Sequence, residues 1–233
     1  MDDDKPLAKA PKAGDVLTFN ARIEGENPKT RTTAVASGNS FQHWWSPGDA
    51  INVFYGVSEG YGAEFGTDLE QASQTATFTG LLGAFSGVTE GGDALAQNEF
   101  WATYPFSENN SCDGSSVTVT MPAQQSAPAG SWDPASDLYV AKSKGLDLFF
   151  YLVGTSIRFS VTTADVAKVE FKSYGPDPKP LAGTVRVAFD ENHEPYVTAA
   201  DTLTGMPSIV NTFARTMERP EMDPSTSLLG IMK

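Results

Sequence analysis

The stretch Val16-Leu-Thr-Phe-Asn-Ala-Arg-Ile23 alternates apolar and polar side chains, with Phe19, Ala21 and Ile23 sharing one face. That period of two describes a strand with one dry face and one wet face. A turn cluster follows at Glu24-Gly-Glu-Asn-Pro28, and the β-branched run Thr30-Arg-Thr-Thr-Ala-Val-Ala36 then reads as a second strand. Ser46-Pro-Gly-Asp49 sets Pro and Gly at the centre of a type II turn, because Pro presets φ and Gly accepts a positive φ. Ile51-Asn-Val-Phe-Tyr55 resumes as a strand.

The same signal continues through Thr75–Thr79, Phe100–Tyr104, Ser116–Met121, Asp137–Ala141, Leu146–Leu152, Thr155–Val161, Ala167–Phe171 and Gly183–Phe189. Ile157, Phe159 and Val161 point one way, as do Val185, Val187 and Phe189. Short strands joined by turns, each with one buried face, point to an all-β fold, an antiparallel β-sandwich. Residues 1–14 read as a disordered leader and residues 15–204 as one sandwich domain. Residues 205–233 read as an irregular or non-native tail. Strand alternation stops near Val197, and Pro207, Pro220 and Pro224 interrupt any helix longer than a short one at Ser208–Met217.

Composition agrees with a turn-rich β protein. Of 233 residues only 19% are charged, while Gly contributes 21 and Pro 15. Hydrophobic residues at 40% suffice for a core. A net charge of -13 argues against a nucleic-acid partner, which needs a basic footprint, and against docking to anionic lipid through a basic patch. The longest apolar run, Leu148-Phe-Phe-Tyr-Leu-Val153, is strand-sized, so no membrane-spanning segment is expected. Met1-Asp-Asp-Asp-Lys5 lacks the basic-then-apolar order of an export signal.

No catalytic, cofactor or metal site emerges. The chain has no nucleophile elbow, zinc-binding helix motif or phosphate-cradling glycine loop. Cys112 is the one cysteine and has no basic neighbour in sequence to activate it. The acidic pairs Asp133/Asp137 and Asp190/Glu191 are expected by chance in a chain with 29 acids. Asp190-Glu-Asn-His-Glu194 reads as an Asx-rich turn, since it lacks the ligand spacing of a calcium loop. Trp45 and Trp101 read as core, leaving Trp44 and Trp132 as candidate sugar-stacking platforms. Arg31, just after a turn cluster, is a candidate site of proteolytic processing, against the plainer reading of a strand residue with a solvated head.

The ordered series Phe19-x-Ala-x-Ile23, Lys29-Thr-Arg-Thr32, Trp45-x-Pro-Gly-Asp-x-Ile51 and Ala102-Thr-Tyr-Pro105 continues with Val117-Thr-Val-Thr-Met-Pro-Ala-Gln-Gln125 and Leu138-Tyr-Val-Ala-Lys-Ser143. Ile157-Arg-Phe-Ser-Val161 and Pro180-Leu-Ala-Gly-Thr-Val-Arg-Val187 complete it. Over residues 15–200 this series resembles the fimbrillin-like (Mfa-like) surface proteins of Bacteroidetes. The resemblance implies a transthyretin-like sandwich of the Ig-like class, usually followed by a second sandwich. It implies a lipoprotein of the outer membrane and cell surface, and a non-enzymatic structural or adhesive role in a fimbria. The implied partners are other fimbrial subunits, joined by strand exchange, with a surface glycan or protein as a further ligand. An arginine-specific protease would remove the first strand, with Arg31 in the matching region. The alternative is a surface glycan-binding module that uses Trp44 and Trp132.

Overall fold

The computed structural model describes residues 7, 9–23, 43–87, 99–126, 133–161, 166–176, 180–198, 204–206, 208–212 and 225–232. In chain order the strands begin with β1 (Val16–Ile23), β2 (Ala50–Tyr55), β3 (Val57–Ser58), β4 (Ala63–Thr67), β5 (Thr75–Leu81) and β6 (Phe85–Ser86). They continue with β7 (Phe100–Tyr104), β8 (Ser111–Cys112), β9 (Val117–Met121), β10 (Gln124–Gln125), β11 (Tyr139–Ser143) and β12 (Asp147–Leu152). The last are β13 (Gly154–Val161), β14 (Lys168–Lys172), β15 (Ala182–Phe189), β16 (Pro195–Val197), β17 (Thr204–Met206), β18 (Ser208–Thr212) and β19 (Ser225–Met232).

Seven of these strands form a closed barrel in the order β1-β12-β11-β7-β2-β4-β5, with β5 returning to β1. The fold is all-β, as the alternation implies, but the expected transthyretin-like or Ig-like sandwich is corrected to a barrel. The correction rests on β1, which pairs antiparallel with β5 from Val16↔Leu81 to Arg22↔Thr75 and parallel with β12 from Asn20↔Asp147 to Ile23↔Phe150. A barrel of seven strands cannot alternate direction all the way round, so one seam must be parallel. Inward/outward alternation is identical in a sandwich and a barrel. The deciding contact is therefore a pairing between residues more than a hundred positions apart, which local periodicity does not report.

Inside the barrel, Phe19, Trp45, Ile51, Phe65, Phe78, Phe100, Tyr139 and Phe150 form the largest core. Trp45 is fully buried and makes edge contacts with Phe78, Tyr104 and Phe150 at centroid distances of 4.9, 5.2 and 5.2 Å. Gly80 lets β4 and β5 approach closely: a Cβ there would stand 2.5 Å from the Glu64 carbonyl oxygen. A second sheet, β16-β15-β9-β8 with β17 also on β15, covers the outside of the barrel. Phe54 and Trp101 reach out of the barrel to meet Val117, Val119, Val185 and Val187 from that sheet. β7 is consequently buried on both faces, which is why Phe100-Trp-Ala-Thr-Tyr104 carries apolar side chains on both sides.

The expected type II turn is present: Asp49 N–H donates to the Ser46 carbonyl at 3.1 Å and Gly48 has φ of 84°. Residues 205–233 show no strand alternation in sequence, yet they contribute strands. β17 pairs with β15, β18 lies between β14 and β10, and β19 pairs with β13 over its whole length. Ser208–Met217, where the sequence leaves room for a short helix, is instead strand over Ser208–Thr212, with residues 213–217 outside the described residues. Pairing with a distant partner overrides weak local preference here. Of the expected leader, residues 1–6 and 8 lie outside the described residues; Leu7 packs against the barrel core, and Gly14 N–H donates to the Leu82 carbonyl at 2.8 Å. The expected strand at Thr30–Ala36 also lies outside the described residues.

Candidate functional site

The closing strand β1 is the feature that combines a motif of the sequence with a distinctive position in the fold. Its inward side chains alternate as Leu17, Phe19, Ala21 and Ile23, and Phe19 and Ala21 are buried at 0% and 2% exposure. The Phe19 ring meets Phe65 edge-on at 5.5 Å and Phe100 at 4.9 Å, so it plugs the barrel between β4 and β7.

The outward face of β1 is held by cross-strand pairs, each in register. Thr18 and Thr79 hydroxyls lie 2.9 Å apart toward β5. Asn20 Nδ2 donates to Asp147 Oδ1 at 2.8 Å toward β12, and the Arg22 guanidinium stands 5.0 Å over the Phe149 ring. Such pairs are the unit of sheet stabilisation. At the start of the strand, the register partners Val16 and Leu81 are 68% and 60% exposed, an apolar pair presented to solvent.

Arg31 and Trp132 lie outside the described residues. Trp44 is half-buried next to the fully buried Trp45, and its indole nitrogen is shielded from solvent. Trp45 is fixed by reciprocal backbone bonds with Ser73 at 2.8 and 2.9 Å. Beside it, His43 Nδ1 lies 3.1 Å from Asp137 Oδ2, and the His43 ring packs edge-on against Tyr139 at 5.1 Å. Tyr104 donates its hydroxyl to Asp49 Oδ1 at 3.1 Å. Burial, aided by the nearby Asp137 charge, holds the Asp49 carboxyl above the usual range and outweighs the Ser46 and Tyr104 hydrogen bonds that oppose it. Sequence spacing did not connect His43, Asp49, Tyr104 and Asp137, which the barrel brings to one end.

The remaining candidates have structural roles. Cys112 is a buried strand residue, and burial pushes its thiol up to about 12, which disfavours the thiolate at neutral pH. Asp133 caps the 3-10 turn Pro134–Ser136 by accepting from Ala135 N–H at 2.9 Å. Asp190 accepts from the Asn192 and Glu194 N–H groups at 2.8 and 2.9 Å, and these bonds, that from Glu194 foremost, hold its carboxyl below the usual range. Among the described residues, no three His, Cys, Asp or Glu side chains are grouped to hold a metal ion. No helix among them is long and apolar enough to cross a membrane. Comparison of the chain with protein-family models, curated proteins and solved structures finds no match.

Proposed function

We propose that the chain is a structural or adhesive fimbrial subunit of the cell surface and outer membrane, of the fimbrillin-like type, and that it assembles by strand donation. The observation that carries the reading is the position of β1. It is an N-terminal strand lodged between β5 and β12, and its removal leaves two facing strand edges. Those edges expose unpaired N–H and C=O groups, and the place of Phe19 becomes an apolar slot lined by Phe65 and Phe100.

A strand from a second subunit satisfies both needs if it sets a large apolar side chain where Phe19 sits and a small one where Ala21 sits. Arg31 follows β1 in the sequence and precedes the anchor at Trp45, so cleavage there separates β1 from the rest of the chain. The net charge of -13 suits a solvated surface protein and calls for no nucleic-acid partner.

The test is digestion with an arginine-specific protease, read by native electrophoresis and by mass spectrometry of the fragments. Cut protein is expected to lose residues 1–31 and form a ladder of oligomers, while the Arg31→Ala variant resists both. Clean cleavage at Arg31 with only monomer contradicts the reading.

A further inference from the structure

The segment that leads into β1 is folded back on itself. Asp15 N–H donates to the Lys12 carbonyl at 3.0 Å, and Lys12 N–H donates to Asp15 Oδ2 at 2.8 Å. Gly14 takes φ of 87° at the third position of this four-residue turn, as a type II turn requires. Two backbone bonds fasten the turn to the barrel. Gly14 N–H donates to the Leu82 carbonyl at 2.8 Å, and Leu82 N–H donates to the Asp15 carbonyl at 2.9 Å. Leu82 is 3% exposed and belongs to the barrel core.

Ahead of the turn, Pro11 is buried and Leu7 packs against the same barrel core. Lys9, Ala10 and the turn residues Lys12–Asp15 are exposed, so among the described residues of this segment burial is confined to Pro11 and, in part, Leu7. The stretch from Leu7 to Lys12 reaches at most about 18 Å, whereas a strand of the length of β1 extends about 26 Å. Leu7 therefore meets the core at the end where β1 begins, not at the far end, where Trp45 bonds Ser73 ahead of β5. Residues 7–15 form a hook that covers this end of the barrel.

Cleavage at Arg31 removes the hook together with β1, so the emptied barrel is open along a seam and at an end. A strand equivalent to residues 16–23 repairs the seam and leaves the core uncovered where Leu7 and Pro11 sat. Apolar surface left in water costs free energy in proportion to its area, so a segment that covers both openings binds more tightly.

We propose that the barrel end covered by Leu7 and Pro11 is a second recognition site in strand exchange. Its occupant is the stretch of the incoming subunit that precedes the donated strand. That stretch carries apolar side chains eight and twelve residues ahead of the one that takes the place of Phe19, as Pro11 and Leu7 do here, and turns before the strand begins. The inference rests on the strand-donation reading and adds the hook to it.

The chain cut at Arg31 is titrated with two synthetic peptides, residues 7–23 and residues 16–23, and the loss of oligomers is followed by sedimentation velocity. The longer peptide is expected to act at a concentration about tenfold or more lower. Leu7→Ser in that peptide removes the advantage. In the intact chain, Leu7→Ser is expected to speed hydrogen exchange of the Gly14 and Leu82 amides about tenfold, because the hook opens more often. Equal potency of the two peptides, or a Leu7→Ser peptide as potent as its parent, overturns the proposal and leaves strand donation standing. Exchange in the intact chain that Leu7→Ser leaves unchanged also overturns it. Oligomers that neither peptide dissolves contradict strand donation itself, and the inference falls with it.

Discussion

Asn20 and Asp147 face each other across the one parallel seam of the barrel, and Asn20 Nδ2 donates to Asp147 Oδ1 at 2.8 Å. The pair stands where the parallel ladder begins, just after Asn20 N–H donates to the Leu146 carbonyl at 2.8 Å. Every other seam of the barrel is antiparallel. The closing strand is thus marked by register, by a side-chain pair on the outside and by Phe19 on the inside.

The inside contact dominates the energetics. Phe19→Ala is expected to cost about 3–5 kcal/mol of stability, as large-to-small changes of fully buried aromatics do. Asn20→Ala, which removes one exposed hydrogen bond, costs about 0.5–1.5 kcal/mol. Urea unfolding of the two variants checks the order, and a Phe19→Ala loss no larger than that of Asn20→Ala would show that β1 does not plug the barrel.

A buried polar knot on the outside of β2 fixes the loop after β7. Asn52 Oδ1 accepts from Thr103 Oγ1, Ser107 N–H and Asn110 Nδ2 at 3.1, 3.0 and 2.9 Å. Asn52 Nδ2 donates to the Tyr61 and Ser107 carbonyls, both at 3.0 Å. Asn52→Ala leaves several of these groups without a partner and is expected to cost at least about 1–3 kcal/mol. Guanidinium denaturation measures it; a variant as stable as the parent would mean that water replaces the amide.

Two aspartates pull stability in opposite directions with pH. Asp113 is partly buried, which works to raise its pKa, but bonds from Ser115 and Ser116 overcome this, and the carboxyl lies below its ordinary value. It also meets Arg186. A folded value lower than the unfolded one contributes stability above the ordinary carboxylate range and loses it as pH falls through the folded value. Asp49, raised by burial, has the opposite sign: its contribution is full below the ordinary value and fades as pH climbs through the raised one. Asp113→Asn should therefore flatten the acid side of the stability profile, measured by urea midpoints from pH 2 to pH 7 with its ordinary range near ~3.9. A profile whose acid limb is unchanged in the variant contradicts the assignment.

Cys112 gives a direct probe of the covered barrel face. Its thiol, pushed up to about 12, stays protonated at pH 8 and lies on the barrel-facing side of the second sheet, in the cluster that holds Trp101 and Val117. Ellman's reagent should react with it slowly in the folded protein and at once in denaturant. Rapid reaction in the folded state would mean that this sheet opens readily.

Val16–Ile23 was legible from its alternation, and Phe100–Tyr104, apolar on both faces, from a short aromatic run; both have in the fold the bounds that the sequence implies. Ala63–Thr67 was not legible: Ala-Glu-Phe-Gly-Thr shows little β-branching, and it is a strand because Gly80 lets β5 lie close to it. β19 follows three prolines and owes its pairing to β13, far upstream. Closure of the sheet was illegible for the same reason, since the Asn20–Asp147 seam has no local signature. At the barrel end, His43 and Asp137 meet only through closure, whereas the sequence drew attention to Asp137 through its chance neighbour Asp133.

Strand donation requires that β1 be removable and that another strand take its place. Sedimentation velocity of the chain cut at Arg31, with and without excess synthetic peptide of residues 16–23, tests it most directly. A series of oligomers is expected without the peptide and a single monomeric species with it, because the peptide refills the groove between β5 and β12. A cut chain that releases β1 and stays monomeric without the peptide, or oligomers that the peptide leaves untouched, would contradict it.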